Sequence, residues 1–83
     1  MIYLDHAATT PVPTAVADEM YRVLTQQFGN PSSQCPMGQE AKKMVEGYRA
    51  VIAGAVGCQP GELHFTSCGT ESDNWAIQAA LWQ

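Results

Sequence analysis

The last segment of this chain, NWAIQAALWQ at residues 74–83, restricts its possible folds more than any other. A helix formed by these residues would be apolar nearly all round, from Trp75 to Trp82. Helices of that kind are normally buried on every side. With 83 residues, the chain has few elements that could cover such a helix. We therefore expect a piece of a larger protein, or a chain that self-associates.

The charge balance and the cysteines restrict the function further. Eight acidic residues stand against four basic ones, for a net charge of −4, which argues against a nucleic-acid partner. No apolar run approaches the ~20 residues of a membrane span, and the N-terminus does not resemble a signal peptide. The three cysteines form no CxxC motif and are too scattered for a disulfide scaffold. These features predict a cytoplasmic protein without a membrane partner.

Hydrophobic periodicity and turn residues predict a mostly helical chain. We expect an extended lead, three helices and one short strand before the third helix. The predicted elements are a lead and loop at 1–13, a helix at 14–28, a loop at 29–36, a helix at 37–56, a strand at 62–66 and a helix at 70–82.

Several residues predict where the helices begin, end and pack. Thr14 is the predicted N-cap of the first helix, and Gly29 and Gly57 are the predicted stops of the first and second. Thr70 and Asp73 resemble a capping box for the third helix. On the second helix, an apolar stripe that includes Val51 and Ile52 predicts the buried face.

The strand–turn–helix pattern at residues 62–82 allows two interpretations. Successive backbone N–H groups at the start of a helix form an anion site that commonly holds phosphate, and Gly69 and Thr70 suit that role. The same residues also suit a plain capped turn. There is neither a GxxxxGK nor a GxGxxG motif, which argues against the common nucleotide-binding loops.

Three ordered blocks give the chain a family resemblance: YLDHAATTP at residues 3–11, FGNPSS at 28–33 and FTSCGTESDN at 65–74. Together they resemble the N-terminal segment of cysteine desulfurases that serve iron–sulfur cluster and nitrogenase assembly. Those enzymes are class V, fold-type I transferases that depend on pyridoxal phosphate. The resemblance implies an α/β parent enzyme, of which residues 1–83 would be the N-terminal part.

The resemblance also implies roles for individual residues. Gly69 and Thr70 would bind the phosphate of pyridoxal 5′-phosphate. Ala8 and Thr9 would lie at the substrate rim, and so would Asn30 in the loop at residues 29–36. Three positions depart from the common family form, which has Asn at His6 and Gly-Ala at Cys68-Gly69.

The implied reaction converts L-cysteine to L-alanine and leaves a persulfide on the enzyme, from which sulfur passes to an acceptor or scaffold protein. The implied assembly is a homodimer. In the family, the cofactor-binding lysine and the persulfide cysteine lie beyond residue 83, so we expect no catalytic residue in this chain and no activity from it alone.

A metal site, another class V activity and a non-enzymatic module are the alternatives to this function. His6 and His64 lack metal-ligand spacing, so no metal site is predicted. Another class V enzyme, a selenocysteine lyase or an aminotransferase, would keep the fold and change the chemistry. A small self-associating helical module without enzymatic activity would use the apolar third helix instead.

Overall fold

The computed structural model describes residues 1–82 as three α-helices joined by loops. The helices are α1 (Thr14–Gln26), α2 (Pro36–Val56) and α3 (Gly69–Leu81), and a short 3-10 helix spans Pro60–Glu62. Two compact units divide the chain, with the boundary between Glu46 and Gly47 inside α2. Within residues 1–82, every helix is too short or too polar to cross a lipid bilayer.

The first unit opens with a turn centred on Asp5. The Asp5 carbonyl accepts hydrogen bonds from the Tyr3 hydroxyl at 2.8 Å and from the Ala8 N–H at 3.1 Å. The His6 ring packs edge-on against Tyr3, with 4.9 Å between the ring centroids. Nδ1 of His6 lies 2.7 Å from the Thr10 hydroxyl. The lead is therefore folded locally and not simply extended.

The predicted N-cap and the predicted stop of α1 are both wrong. Pro13 occupies the N-cap position, and Thr14 is already the first helical residue. At the other end, the Gln27 N–H bonds to the Val23 carbonyl and closes the helix before Gly29 is reached. Gly29 does not adopt the left-handed conformation. Glycine at this position allows the backbone to lie close to the Met37 carbonyl, which a Cβ at residue 29 would overlap.

The C-terminal end of α2 follows the sequence prediction at Gly57. Gly57 has φ +80°, and the N–H groups of Gly57 and Cys58 both donate to the Ala53 carbonyl at 2.9 Å. Ala53 itself is fully buried. The prediction that Val51 and Ile52 form the buried face is wrong, since they are 72% and 41% exposed.

The predicted strand at residues 62–66 is also wrong. Glu62 lies in the 3-10 helix, and the Leu63 N–H bonds back to the Pro60 carbonyl. Leu63 is extended, with φ −102° and ψ 128°, but residues 1–82 contain no strand. A strand needs a neighbour to satisfy its backbone groups, and the described chain supplies none here.

Candidate functional site

Polar groups converge where the chain enters α3. Cys68 is extended, with φ −168° and ψ 171°, and occupies the N-cap position without making a side-chain cap. The Ser72 N–H bonds to the Cys68 carbonyl at 3.2 Å and begins the backbone ladder of the helix. The first N–H groups of a helix have no carbonyl partner within it. Those of Gly69, Thr70 and Glu71 are therefore placed to bind an anion.

Ser67 and Glu71 fix the chain just before this helix end. The Ser67 hydroxyl donates to Oε2 of Glu71 at 2.5 Å, and the Ser67 N–H donates to the same oxygen at 3.2 Å. Both bonds hold the pKa of Glu71 below its ordinary value, and the bond from the hydroxyl contributes more than the bond from the N–H. The predicted capping box of Thr70 and Asp73 is wrong, because Cys68 and not Thr70 precedes the helix.

The Cys68 sulfur reports the electrostatic character of this turn. Its thiol pKa is lowered, chiefly by the Glu71 N–H and next by the Ser67 hydroxyl, with smaller contributions from the Thr70 N–H and hydroxyl. Donors from three residues thus favour negative charge on the Cys68 sulfur. We call residues 67–71 the α3 turn. Backbone N–H donors at the start of a helix are the groups with which proteins commonly bind anions.

An open groove of about 600 Å³ continues from the α3 turn along the helix. It is lined by Cys68, Thr70, Glu71, Asn74, Trp75 and Gln78. The Trp75 ring lies 5.1 Å from the His64 ring, with 38° between their planes. A planar ligand whose anionic group sits at the α3 turn would therefore meet an aromatic side chain and two amides. Sequence reasoning assigned Trp75 only to a core or an interface.

The other predicted site residues lie in the first unit. Ala8 and Thr9 belong to the turn on Asp5, where the Thr9 N–H reaches the Asp5 carbonyl at 3.4 Å. The Asn30 side chain accepts a hydrogen bond from the Ser32 N–H at 2.9 Å, and its carbonyl accepts one from Ser33. Asn30 is therefore held in an Asx turn. Within residues 1–82, no group of three or more His, Cys, Asp or Glu could hold a metal ion.

The lowered pKa of Cys68 predicts its reactivity. In a Cys35→Ser, Cys58→Ser variant, alkylation of Cys68 by iodoacetamide should have a lower midpoint pH in the folded chain than in urea. Because the pKa of Cys68 is lower in the folded chain than in the unfolded one, its thiolate stabilises the fold. This stabilisation is fully present above the unfolded pKa and is lost as the pH falls through the folded pKa. The rate–pH profile by mass spectrometry measures both midpoints. Equal midpoints would contradict the geometry of the α3 turn.

Comparison with known proteins gives this site a family context. The family model described as class V aminotransferase matches residues 2–83. The chain belongs to this family. Family membership agrees with the resemblance carried by the three sequence blocks.

Individual relatives are named cysteine desulfurases. The chain is 51% identical over 80 residues to cysteine desulfurase IscS of Neisseria meningitidis, covering 95% of the chain and 20% of that protein. It is 46% identical over 77 residues to IscS of Methanosarcina thermophila, covering 93% and 19%. With the cysteine desulfurase of Frankia sp., identity is 47% over 81 residues, covering 98% and 19%.

The chain thus spans about a fifth of the length of these family members. No solved structure matches it significantly.

Proposed function

We propose that this chain is the N-terminal part of a cysteine desulfurase. The observation that carries the proposal is its 46–51% identity, over nearly all of its length, to relatives named cysteine desulfurase. The whole enzyme would convert L-cysteine to L-alanine, and its persulfide sulfur would pass to an acceptor or scaffold protein for iron–sulfur cluster assembly. A cytoplasmic, homodimeric, fold-type I enzyme is part of the same proposal.

Within that enzyme, the α3 turn would bind the phosphate of pyridoxal phosphate. Gly69 and Thr70 would contribute backbone N–H groups, and Thr70 would add its hydroxyl. The assignment of Thr70 is supported by its N–H and hydroxyl, which are among the groups that lower the pKa of the Cys68 thiol. When bound, pyridoxal phosphate supplies an electron sink for the substrate carbanion, and the protein supplies binding and orientation.

The space beside residue 69 is free of other protein atoms. A Cβ built there has no heavy atom within 4 Å, so an added methyl group would meet no part of the chain. Cys68 and Glu71 oppose the ligand, because a thiolate or carboxylate repels phosphate. The Glu71 carboxylate is held by Ser67, which fixes its position and favours its charge. Phosphate binding therefore requires the Cys68 sulfur to be neutral or turned away.

The remaining proposed site residues would form the substrate rim. Ala8 and Thr9 are held by the Asp5 turn, and Asn30 by its Asx turn, so both segments present local structure that does not depend on ligand. Lys42 and Lys43 lie on α2, and the Lys43 side chain is 79% exposed in a long 3.9 Å pair with Glu40. We assign no catalytic role to either lysine and expect no desulfurase activity from the chain alone.

Titration with inorganic phosphate tests the α3 turn directly. A helix terminus contributes about 0.3–1 kcal/mol to an exposed anion, and each neutral hydrogen bond about 1 kcal/mol. The sum corresponds to a Kd of roughly 1 mM or weaker. In the ¹⁵N-labelled chain, phosphate should shift the amide resonances of residues 68–72, with chloride at equal ionic strength as the control.

A matched pair of variants isolates the N–H donor of Gly69. Gly69→Pro removes that donor at the first helical position, where proline is tolerated, and should weaken phosphate binding by about two- to tenfold. Gly69→Ala keeps the N–H and adds a methyl group in open space, so its Kd should be unchanged. Shifts elsewhere in the chain, with none at residues 68–72, would contradict the assignment.

A further inference from the structure

The segment that leads into the α3 turn has no strand partner within residues 1–82. Beside the backbone bond from the Leu63 N–H to the Pro60 carbonyl, side-chain contacts help to fix its position. Arg49 of α2 provides one such link, because its Nη1 donates to the Leu63 carbonyl at 2.5 Å in a partly buried hydrogen bond. The bond joins residues 14 apart in sequence and thus ties the segment to the helix.

The same guanidinium group holds a second point of the segment. Cζ of Arg49 lies 4.7 Å from the centroid of the Phe65 ring, which is a cation–π distance. Leu63 and Phe65 are two residues apart, the spacing that places side chains on one side of an extended segment. A planar guanidinium can donate a hydrogen bond to the Leu63 carbonyl and stack on the Phe65 ring at the same time. A lysine ammonium is not planar and cannot stack in this way.

Hydrogen bonds from Thr66 and Ser67 connect this segment to the first turn of α3. The Thr66 hydroxyl donates to the Cys68 carbonyl at 3.1 Å and lies 2.6 Å from the Ser72 hydroxyl. Ser67 is bonded to Glu71 through its N–H and hydroxyl groups. From Leu63 to Glu71, the chain is therefore held at nearly every residue, with Arg49 at the start of the series.

We propose that Arg49 is the positioning residue of the α3 turn: it fixes residues 63–65 so that the N–H groups of Gly69, Thr70 and Glu71 face one point. The identity of the ligand rests on the proposed function, but the positioning itself does not. Arg49 acts through Leu63 and Phe65, which precede the α3 turn.

Arg49→Lys in the full 83-residue chain tests this role, since lysine keeps the charge and the helix propensity. The Ser67 amide should exchange with solvent about two- to tenfold faster, as expected for loss of one hydrogen bond upstream. The Kd for inorganic phosphate should rise by a similar factor. Arg22→Lys is the matched control, because Arg22 pairs with Glu19 on α1 at 2.6 Å and should change neither quantity.

The phosphate Kd separates positioning from general stabilisation. If Arg49 only stabilised the fold, the phosphate Kd of Arg49→Lys would stay unchanged under conditions in which circular dichroism shows the variant to be folded. An unchanged Kd and an unchanged Ser67 exchange rate in Arg49→Lys would overturn the role of Arg49 and leave the proposed function intact. If the unsubstituted chain bound no phosphate, the phosphate site would fail, and Ser67 exchange alone would then decide whether Arg49 positions the turn.

Discussion

Replacing Gly38 with alanine should lower the free energy of unfolding by about 1–3 kcal/mol, the usual cost of overpacking a close contact. A Cβ at Gly38 would overlap the Ser33 carbonyl and lie 2.7 Å from the Asn30 carbonyl. Both obstacles are backbone atoms, so no side-chain rotation relieves them. The loop carrying Asn30 must move, or the first turn of α2 must open.

Gly54→Ala in the same helix is the matched control. No heavy atom lies within 4 Å of a Cβ built at Gly54, so alanine should gain its ordinary helix propensity and stabilise the chain by about 0.5–1 kcal/mol. Urea unfolding followed by far-UV circular dichroism gives both values. If Gly38→Ala proved as favourable as Gly54→Ala, the close packing of α2 on the loop at residues 29–33 would be wrong.

The position of α2 shows what periodicity predicts well. Its apolar repeat and Gly57 predict a helix at residues 37–56, and the structure has Pro36–Val56. The buried face follows from the sequence only in part. Ala41 on the apolar stripe is buried, but periodicity does not show what covers the rest of the stripe. Ala53 is buried and Val51 is exposed, although both are apolar.

The contacts around the α3 turn show where sequence reasoning ends. Glycine and threonine before an apolar helix predict an anion site, and that site stays a prediction. The structure adds the donors that lower the pKa of the Cys68 thiol. The bond from Ser67 to Glu71 was missed because the helix was expected to start one residue later. Arg49 was missed because its partner is the backbone of Leu63, and a backbone acceptor leaves no signal in the sequence.

A chimeric enzyme tests the phosphate-binding role in its full context. The segment of Neisseria meningitidis IscS that matches this chain at 51% identity would be replaced by the corresponding residues of the chain. Thr70→Val in that chimera should weaken pyridoxal phosphate binding by about 10- to 100-fold, because a hydrogen bond to a charged group contributes about 1.5–3 kcal/mol. Thr25→Val is the control, since the Thr25 hydroxyl bonds only within α1 in the contacts described, to Tyr21 and Arg22.

The cofactor content and alanine production of the unsubstituted chimera, supplied with L-cysteine, test whether this chain can serve as the N-terminal part of a desulfurase. We expect the chimera to retain pyridoxal phosphate through gel filtration and to release alanine, while the 83-residue chain alone does neither. A chimera with the circular dichroism spectrum and thermal unfolding of the Neisseria enzyme that nevertheless retained no pyridoxal phosphate would show that the chain does not fill the phosphate-binding role.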